Sequence, residues 1–220
     1  MDKIIIAGIS GHSKVLIDIV EKEHKYEIVG LTDKSHSQDT KVLGYPVLGK
    51  DEDIPQIVKS YSIVGGLIGV GDNWLRYNIS KKIRDIYPEF RFVKAIHPSA
   101  QIAKDVTIGD GTVIMAGAIV NPCSSISRFC ILNTNSSLDH DSVMEDFSSL
   151  APQATTGGNC RIGNYSAVSI GAVLSHGIQV GEHTIIGAGS TVLNNIESFK
   201  VAYGTPAKPI RERKQGDKYL

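Results

Sequence analysis

A histidine flanked by two aspartates stands within the polar stretch NTNSSLDHDSV, residues 133–143. A carboxylate beside an imidazole can fix the tautomer of the ring and raise its basicity, which prepares a general base that works near neutral pH. We therefore expect His140 to accept a proton, with Asp139 and Asp141 orienting its ring. The alternative is a solvent-exposed histidine in a polar turn, and the elements that hold the triplet decide between the two.

The elements around the triplet follow a six-residue period. The first column of this period consists of Ile102, Ile108, Ile114, Val120, Ile126, Leu132, Leu138, Met144, Leu150, Thr156, Ile162, Val168, Leu174, Val180, Ile186 and Val192. Four residues after each of them stands a small or β-branched residue, and neither column holds a charge. Six residues is not a helical repeat; it is typical of a parallel β-helix, in which three hexapeptides make one triangular coil.

The register of the repeat places the histidine on the outside of its coil. Leu138 and Ser142 point inward, so His140 lies at or near a corner and faces outward. Neighbouring coils, stacked about 4.8 Å apart, hold its backbone rigidly, as a catalytic group requires. His176 occupies the same position two coils later, so we expect it roughly 9 to 10 Å away, lining the same cleft.

Residues 1–95 follow a different rhythm, in which strands alternate with helices. The predicted strands lie in KIIIAG, YEIVGLTD and IVGGLIGVGD, and the predicted helices lie in HSKVLIDIVEKE and NWLRYNISKKIRDIYP. This order predicts an α/β, Rossmann-like domain with a small parallel sheet. The turn GISGH joins the first strand to the first helix, and its backbone N–H groups suit an anion such as a nucleotide pyrophosphate. It is not a full G-x-G-x-x-G, so the motif alone is weak.

Composition limits the classes of partner. The 23 basic and 23 acidic residues cancel, which argues against nucleic acid and membrane surfaces as partners. The N-terminal apolar run is far shorter than a signal peptide or a membrane span needs, so we expect a cytoplasmic protein. Cys123, Cys130 and Cys160 form neither a disulfide framework nor a zinc site, and we expect small buried residues and no metal. His97, at the entry to the β-helix, and His183, a surface residue, have weak claims to function.

Four motifs together resemble one branch of the hexapeptide-repeat acyltransferases. They are GISGHSK, IHPSA, NTNSSLDHD and GTPAKPIRER, and with the repeat the resemblance covers nearly all 220 residues. The branch comprises the bacterial sugar acetyltransferases, which include sialic-acid O-acetyltransferases and N-acetyltransferases of UDP-linked 4-amino-4,6-dideoxy sugars. The resemblance implies a left-handed β-helix, a homotrimer and acetyl-CoA bound in the groove between two adjacent β-helices.

The resemblance also assigns residues. It implies His140 as the catalytic base and Asp141 as its assistant. For acetyl-CoA, the matching positions are Ser149, Ile170, Gly171, Gly187 and Ala188. For the sugar nucleotide, they are Ser10, Gly11, His12, Thr32, Asp33, Gly71, Asn73 and Arg76. The chain then divides into a sugar-nucleotide-binding domain, residues 1–95, and a β-helix acyltransferase domain with a C-terminal tail, residues 96–220.

These implications favour one activity and leave two alternatives. The favoured one is acetyl-CoA-dependent N-acetylation of a nucleotide-linked 4-amino-4,6-dideoxy sugar, by direct attack on the thioester with His140 as general base. O-acetylation of sialic acid or another sugar is the alternative within the same class of enzyme. A non-catalytic trimeric scaffold that senses a nucleotide is the alternative of another class, and the Asp-His-Asp triplet argues against it.

Overall fold

The computed structural model describes residues 1–36 and 39–217. Its contacts divide the chain into two compact units. The first unit comprises residues 1–71 and 75–98, and the second comprises residues 72–74 and the chain from residue 99 onward. Residues 218–220, at the end of the expected β-helix domain with its tail, lie outside the described residues. Among the residues that are described, no helix is long and apolar enough to cross a membrane.

The first unit is built on a five-stranded sheet. Its strands are β1 (Asp2–Ala7), β2 (Tyr26–Thr32), β3 (Lys41–Val42), β4 (Tyr45–Gly49) and β5 (Ile63–Ile68). Their order is β3-β4-β2-β1-β5, with every pair parallel except the β3–β4 hairpin. The helices are α1 (Gly11–Glu23), α2 (Ile54–Tyr61) and α3 (Asn73–Ile86), with a 3₁₀ turn at Asp51–Asp53 and a short strand β6 (Ala95–Ile96).

This sheet confirms the Rossmann-like prediction, because β1, α1 and β2 form a parallel unit with the glycine turn between β1 and α1. Strand β1 is buried along Ile4–Ala7, and α1 covers the sheet with Leu16, Ile17, Ile19 and Val20. The sequence reading missed β3, β4 and α2. Their strands are short and contain a proline at Pro46, and α2 is an eight-residue helix, so none gives a long periodic signal.

The second unit is a left-handed parallel β-helix made of two-residue strands. In chain order these are β7 (Gln101–Ile102), β8 (Thr107–Ile108), β9 (Val113–Ile114), β10 (Ile119–Val120), β11 (Ser125–Ile126), β12 (Ile131–Leu132), β13 (Ser137–Leu138), β14 (Val143–Met144), β15 (Ser149–Leu150), β16 (Thr155–Thr156), β17 (Arg161–Ile162), β18 (Ala167–Val168), β19 (Val173–Leu174), β20 (Gln179–Val180), β21 (Ile185–Ile186) and β22 (Thr191–Val192). A closing hairpin follows, β23 (Lys200–Gly204) with β24 (Ala207–Glu212).

Each strand pairs in parallel with the strand 18 residues further along the chain, as in Ser137 with Thr155. Three sheets result: β7-β10-β13-β16-β19-β22, β8-β11-β14-β17-β20, and the sheet running from β9 through β12, β15, β18 and β21 to the hairpin. We name them sheets 1, 2 and 3. The repeat of 18 residues per coil confirms the prediction from the hexapeptide period.

The interior of the β-helix contains both predicted columns. Leu138, Met144 and Leu150 are fully buried, whereas Ile102 in the first coil is 37% exposed. In the second column the small polar side chains are buried but hydrogen-bonded: the Ser142 hydroxyl, for example, accepts a hydrogen bond from the Cys160 N–H at 3.0 Å. Because a buried hydroxyl without a partner costs about 1–3 kcal/mol, these bonds let serine occupy the core.

The corners of the coils repeat one backbone feature. The residue one position before each second-column residue has a positive φ, including Cys123, Phe129, Asn135 and Asp141 at 55° to 62°. Its N–H donates to a carbonyl of the preceding coil, as from Asp141 to Pro122 at 3.1 Å. This left-handed conformation costs non-glycine residues roughly 1–2 kcal/mol each, and coil-to-coil hydrogen bonds hold it in place.

Candidate active site

His140 lies at the corner between sheets 1 and 2, and its side chain is 48% exposed. Its Nδ1 lies 2.7 Å from Oδ2 of Asp141. Because the carboxylate accepts a hydrogen bond from Nδ1, the other ring nitrogen, Nε2, is left as the basic atom. The structure therefore brings together the two residues expected to form the catalytic pair.

Asp139 does not share the role expected for it. Its Oδ1 accepts from the Asn121 amide at 2.6 Å and from the backbone N–H of His140 at 2.8 Å, so it fixes the main chain and not the ring. Its own N–H donates to Oγ1 of Thr156 at 3.0 Å. Thr156 is the one polar residue of the inward column, and this bond gives it a purpose: it anchors the segment that carries His140.

Electrostatics favour a basic ring. The hydrogen bond from Asp141 raises the pKa of His140 above its usual value, and the negative charges of Asp139 and Asp141 add to the increase, although partial desolvation opposes it. The pKa of Asp139 is lowered, chiefly by the hydrogen bonds from Asn121 and from the His140 backbone, so its carboxylate stays charged. A ring held this way accepts a proton readily and can return it.

The ring of His140 lies across a glycine of the next coil. A Cβ at Gly158 would lie 2.4 Å from Nε2 of His140, so only glycine leaves room for the ring there. His176 follows one coil later, and the centroids of the two imidazoles are 6.1 Å apart, closer than the spacing of two coils predicted. The two histidines therefore face one gap, which we call the His140 corner together with residues 139–141, 157–159 and 175–177.

Three of the positions expected to bind acetyl-CoA lie elsewhere in the same unit. Ile170, Gly171 and Ala188 are on the corner between sheets 3 and 1, which we call the Ile170 corner. Ile170 is 58% exposed, and the space beside Gly171, whose φ is 64°, is open. Sheet 1 separates this corner from the His140 corner. One chain therefore does not bring these residues to His140.

The other two expected coenzyme positions are covered by protein. Ser149 is buried, and its hydroxyl accepts from the Asn73 amide at 3.3 Å. The Asn73 amide also donates to the Ser166 carbonyl at 3.0 Å, so this residue, expected at the sugar nucleotide, packs in the second unit. A Cβ at Gly187 would lie 2.6 Å from Cβ of Tyr203, so the closing hairpin already occupies the space that this glycine leaves.

In the first unit, the turn after β1 has the geometry of an anion site. Ser10 caps α1: its hydroxyl accepts from the His12 N–H at 3.0 Å and donates to the Gly69 carbonyl at 2.7 Å. Gly11 is exposed, and a Cβ there would meet nothing within 4 Å. The N-terminus of a 13-residue helix thus faces open space, where its backbone N–H groups attract negative charge.

His12 lies beside Arg76 at this turn. Burial, followed by the positive charge of Arg76, lowers the pKa of His12 to about 3, so the ring is neutral at pH 7. Its Nε2 is buried and has no hydrogen-bond partner within the described residues. Arg76 is buried as well and donates from Nη1 to the Gly71 carbonyl at 2.8 Å, which fixes the loop after β5.

Beside the turn is a pocket of about 430 Å³, at the carboxyl ends of β1, β2 and β5. Ser10 and Asp33 line it, whereas Thr32 is fully buried and donates to Asp51 at 2.9 Å, so Thr32 contributes through Asp51. Burial alone would raise the pKa of Asp33, but hydrogen bonds from His36 and from backbone N–H groups outweigh it and lower that pKa.

Sequence reasoning missed half of this pocket. Lys34, Ser35, His36, Asp51, Leu75, Asn78, Ile79 and Lys82 also line it. The first three directly follow Asp33 at the end of β2, a position where parallel sheets commonly bind ligands, so the switch-point rule could have found them. Lys82 could not be found in this way, because it is brought to Asp51, at 3.4 Å, only by the placement of α3.

The remaining histidine and cysteine expectations need correction. His183 is not a surface residue: it is 7% exposed and stacks between Tyr165 and Phe199, with centroids 4.5 and 4.9 Å away. Cys130 and Cys160 are buried as expected, but Cys123 is exposed. Within residues 1–36 and 39–217, no group of three His, Cys, Asp or Glu residues is placed to hold a metal ion.

Two family models match the chain. The model described as the PglD N-terminal domain matches residues 3–83, and the model of the bacterial transferase hexapeptide, six repeats, matches residues 159–194. The two matches fall in the first and second units respectively, in agreement with the α/β fold and with the repeat.

Solved structures match over almost the whole chain. A variant of perosamine N-acetyltransferase from Caulobacter crescentus, in complex with CoA and GDP-perosamine, is 31% identical, with a TM-score of 0.90 over 96% of this chain and 98% of that one. The acetyltransferase domain of PglB from Neisseria gonorrhoeae, in complex with acetyl coenzyme A, is 30% identical, with a TM-score of 0.85 over 94% of this chain and 98% of that one.

A curated relative matches over a shorter region. UDP-N-acetylbacillosamine N-acetyltransferase of Bacillus subtilis is 31% identical over 117 residues, which are 53% of this chain and 52% of that protein. The chain thus spans about half the length of this relative in the aligned region.

Proposed function

The chain belongs to the left-handed β-helix family of hexapeptide-repeat sugar acetyltransferases, and from this premise we propose that it transfers the acetyl group of acetyl-CoA to the amine of a nucleotide-linked 4-amino-4,6-dideoxy sugar. The observation that carries the proposal is the His140 corner, where Asp141 lies 2.7 Å from Nδ1 of His140 and leaves Nε2 free to take a proton. The perosamine enzyme, which binds CoA and GDP-perosamine, supports this class of substrates.

The reaction follows from the position of Nε2. As the sugar amine attacks the thioester carbonyl, His140 accepts a proton from the attacking nitrogen, and a backbone N–H at the cleft stabilises the oxyanion. When the tetrahedral intermediate collapses, the carbon–sulfur bond breaks, the amide forms, and His140 can return the proton to the departing thiolate. No acyl-enzyme is needed, because Cys130 and Cys160 are buried in the core and Cys123 has no adjacent base.

The two units have different tasks in this proposal. The turn at Ser10, Gly11 and His12 binds the nucleotide pyrophosphate, and the neighbouring pocket, which contains Asp33, holds the nucleoside. The open helix N-terminus and the unpartnered Nε2 of His12 support this division. His12 is neutral near pH 7, so it positions the sugar nucleotide by hydrogen bonding and does not take the reacting proton.

The acetyl-CoA site requires a second chain. Ile170, Gly171 and Ala188 lie on one corner and His140 on another, so a complete site needs the Ile170 corner of a neighbouring copy to lie beside the His140 corner. We infer a homotrimer with one coenzyme groove at each of three interfaces, since cyclic assembly repeats one contact. Ile170, exposed in the single chain, then contacts coenzyme. Light scattering is expected to give three times the chain mass, and a monomer at micromolar concentration would contradict the assembly.

The activity test follows release of free thiol from acetyl-CoA with a panel of acceptors. The panel contains GDP-perosamine, UDP- and dTDP-linked 4-amino-4,6-dideoxy sugars, and sialic acids. Thiol release with an amino-sugar nucleotide, and an N-acetylated product by mass spectrometry, supports the proposal. Release with sialic acid alone assigns O-acetylation instead, and no release with any acceptor favours a non-catalytic scaffold.

The division of tasks has its own test in Gly11→Leu. Space for a side chain exists at Gly11, so the fold persists, but the side chain crowds the approach of phosphate to the backbone. We expect KM for the sugar nucleotide to rise about tenfold or more while KM for acetyl-CoA is unchanged. Lys14→Leu, one turn further along α1 and also exposed, is the matched control. Equal increases in both KM values would make the first unit structural.

A further inference from the structure

His176 has no role in the mechanism above, although it faces the same gap as the base. Both rings emerge at the same position of their coils, 36 residues apart, with Gly158 in the coil between them. Any residue larger than glycine at 158 would fill the space, because its Cβ would lie 2.4 Å from Nε2 of His140. The glycine thus opens a slot with one imidazole on each side.

The dimensions of the slot suit a ligand and not a contact between the rings. The ring centroids are 6.1 Å apart with planes tilted by 47°, so the imidazoles do not stack. Nε2 of His176 lies 3.4 Å from the Asn159 amide, which orients this ring from its own corner. Two hydrogen bonds of about 2.9 Å, one from each ring, reach two neighbouring polar atoms of one small ligand.

We propose that His176 is a second acceptor-binding residue, which hydrogen-bonds the hydroxyl on the carbon next to the amine-bearing carbon of the sugar. The inference rests on the proposed function, and it adds a specificity determinant to that site. His140 takes the proton of the attacking nitrogen, while His176 holds the vicinal oxygen, so the sugar cannot rotate its amine away from the thioester.

The proposal has a specific chemical consequence. A site built to hydrogen-bond a hydroxyl discriminates against the analogue that lacks it, because the polar group of the site loses its partner. His176→Ala removes that discrimination together with part of the orientation. We expect kcat/KM for the hydroxyl-bearing sugar to fall by about tenfold to hundredfold, because one hydrogen bond to substrate is worth about 1–3 kcal/mol.

The experiment compares two acceptors in four proteins. The acceptors are GDP-perosamine, or the amino-sugar nucleotide that the wild type acetylates best, and its 3-deoxy analogue. The proteins are the wild type, His176→Ala, His176→Gln and the control Asn194→Ala, which changes an exposed residue at the same corner position one coil further on.

The expected pattern is a loss confined to one combination. The wild type and Asn194→Ala prefer the hydroxyl-bearing sugar, His176→Ala uses both acceptors equally slowly, and the amide in His176→Gln restores part of the preference. Binding of the same two acceptors to His140→Ala and to the His140→Ala/His176→Ala double variant, measured by calorimetry, is expected to show the same selectivity and its loss, without turnover.

The outcomes separate this inference from the proposed function. If the wild type turns over amino-sugar nucleotides and His176→Ala retains the full preference for the hydroxyl, the inference is wrong and the proposed function stands. If the wild type acetylates no amino-sugar nucleotide, the proposed function and this inference fall together. A uniform loss for both acceptors in His176→Ala, with no change in selectivity, also overturns the inference, because it assigns His176 a structural role.

Discussion

Two corners of the β-helix have the same backbone conformation and use it in opposite ways. At the His140 corner, Asp141 has a φ of 57° and directs its carboxylate at the neighbouring imidazole. At the corner between sheets 2 and 3, the equivalent residues are aromatic. These are Phe129, Phe147, Tyr165, His183 and Phe199, stacked with centroid separations of 4.5 to 5.5 Å. We call this the aromatic corner.

Each corner contains a histidine, and the two differ in protonation. His140 is half exposed and bonded to a carboxylate, which raises its pKa. His183 is buried between aromatic rings, and this burial lowers its pKa, although the charge of Glu182 partly opposes the change. The difference teaches that the repeat supplies only a rigid frame, while the neighbours in adjacent coils decide whether a histidine serves as base or as packing.

The largest effect should follow from removing the base. His140→Ala is expected to lower kcat by about 10²–10⁴, the usual contribution of a general base, while the β-helix stays folded because the side chain points outward. Steady-state kinetics with unchanged circular dichroism checks this. Wild-type turnover in the variant would remove the functional distinction between the two corners.

The next effect tests whether the frame positions the base. Gly158→Ala has an ordinary backbone φ, so its main cost is the contact of the new Cβ with the His140 ring. Because a displacement of about 1 Å can cost on the order of 10²-fold, we expect kcat to fall by about that factor with little change in melting temperature. Imidazole NMR signals of His140 should shift. An unchanged signal with full activity would mean that the ring is free to reorient.

A smaller effect, with a definite sign in pH, is expected for Asp141→Asn. Asparagine tolerates the left-handed backbone, so geometry persists while the carboxylate charge is lost. We expect about a tenfold lower kcat. His140 must be neutral to act, so activity falls as pH drops through its pKa. Losing Asp141 lowers that pKa, and the acid limb of the kcat/KM profile should move to lower pH. A shift to higher pH would contradict the pairing.

The smallest effect concerns the aromatic corner. His183→Phe extends the stack and should leave kcat unchanged and stability at pH 7 within about 1 kcal/mol. The sign below neutrality follows from linkage: the folded pKa of His183 is lowered, so the unfolded chain takes up the proton first, and stability is lost as pH falls below the unfolded value. The phenylalanine variant should lose less stability than the wild type between pH 7 and 5 in denaturant titrations.

The sequence predicts the frame better than the site. The inward columns depend on residue type at a fixed period, so the coils, their register and the outward position of His140 were all predictable. The pairing with Asp141 was predictable as well, because the residues are adjacent. The approach of His176 was predicted too long, since coil spacing measures backbones and the rings lean across Gly158.

Other contacts could not be predicted, because they join residues that no period relates. Asn73 bonds Ser149 across 76 residues of sequence, and Tyr203 fills the space beside Gly187. His183 was misassigned for a related reason. A polar type at an outward position suggests exposure, yet rings 18 residues before it and 16 after it enclose it.

The 18-residue pairing of the strands makes the β-helix a ruler. Positions 122, 140, 158, 176 and 194 are successive marks along one edge, and each mark is one coil further on. A substitution at a mark changes the chemistry at a known height without moving the others. Inserting one complete coil between residues 158 and 176 would move the second histidine away by one mark, about 4.8 Å, and leave every hydrogen bond around Asp141 in place. Sequence distance is thereby converted into length, and the reach of the active site becomes a quantity that can be edited in fixed steps.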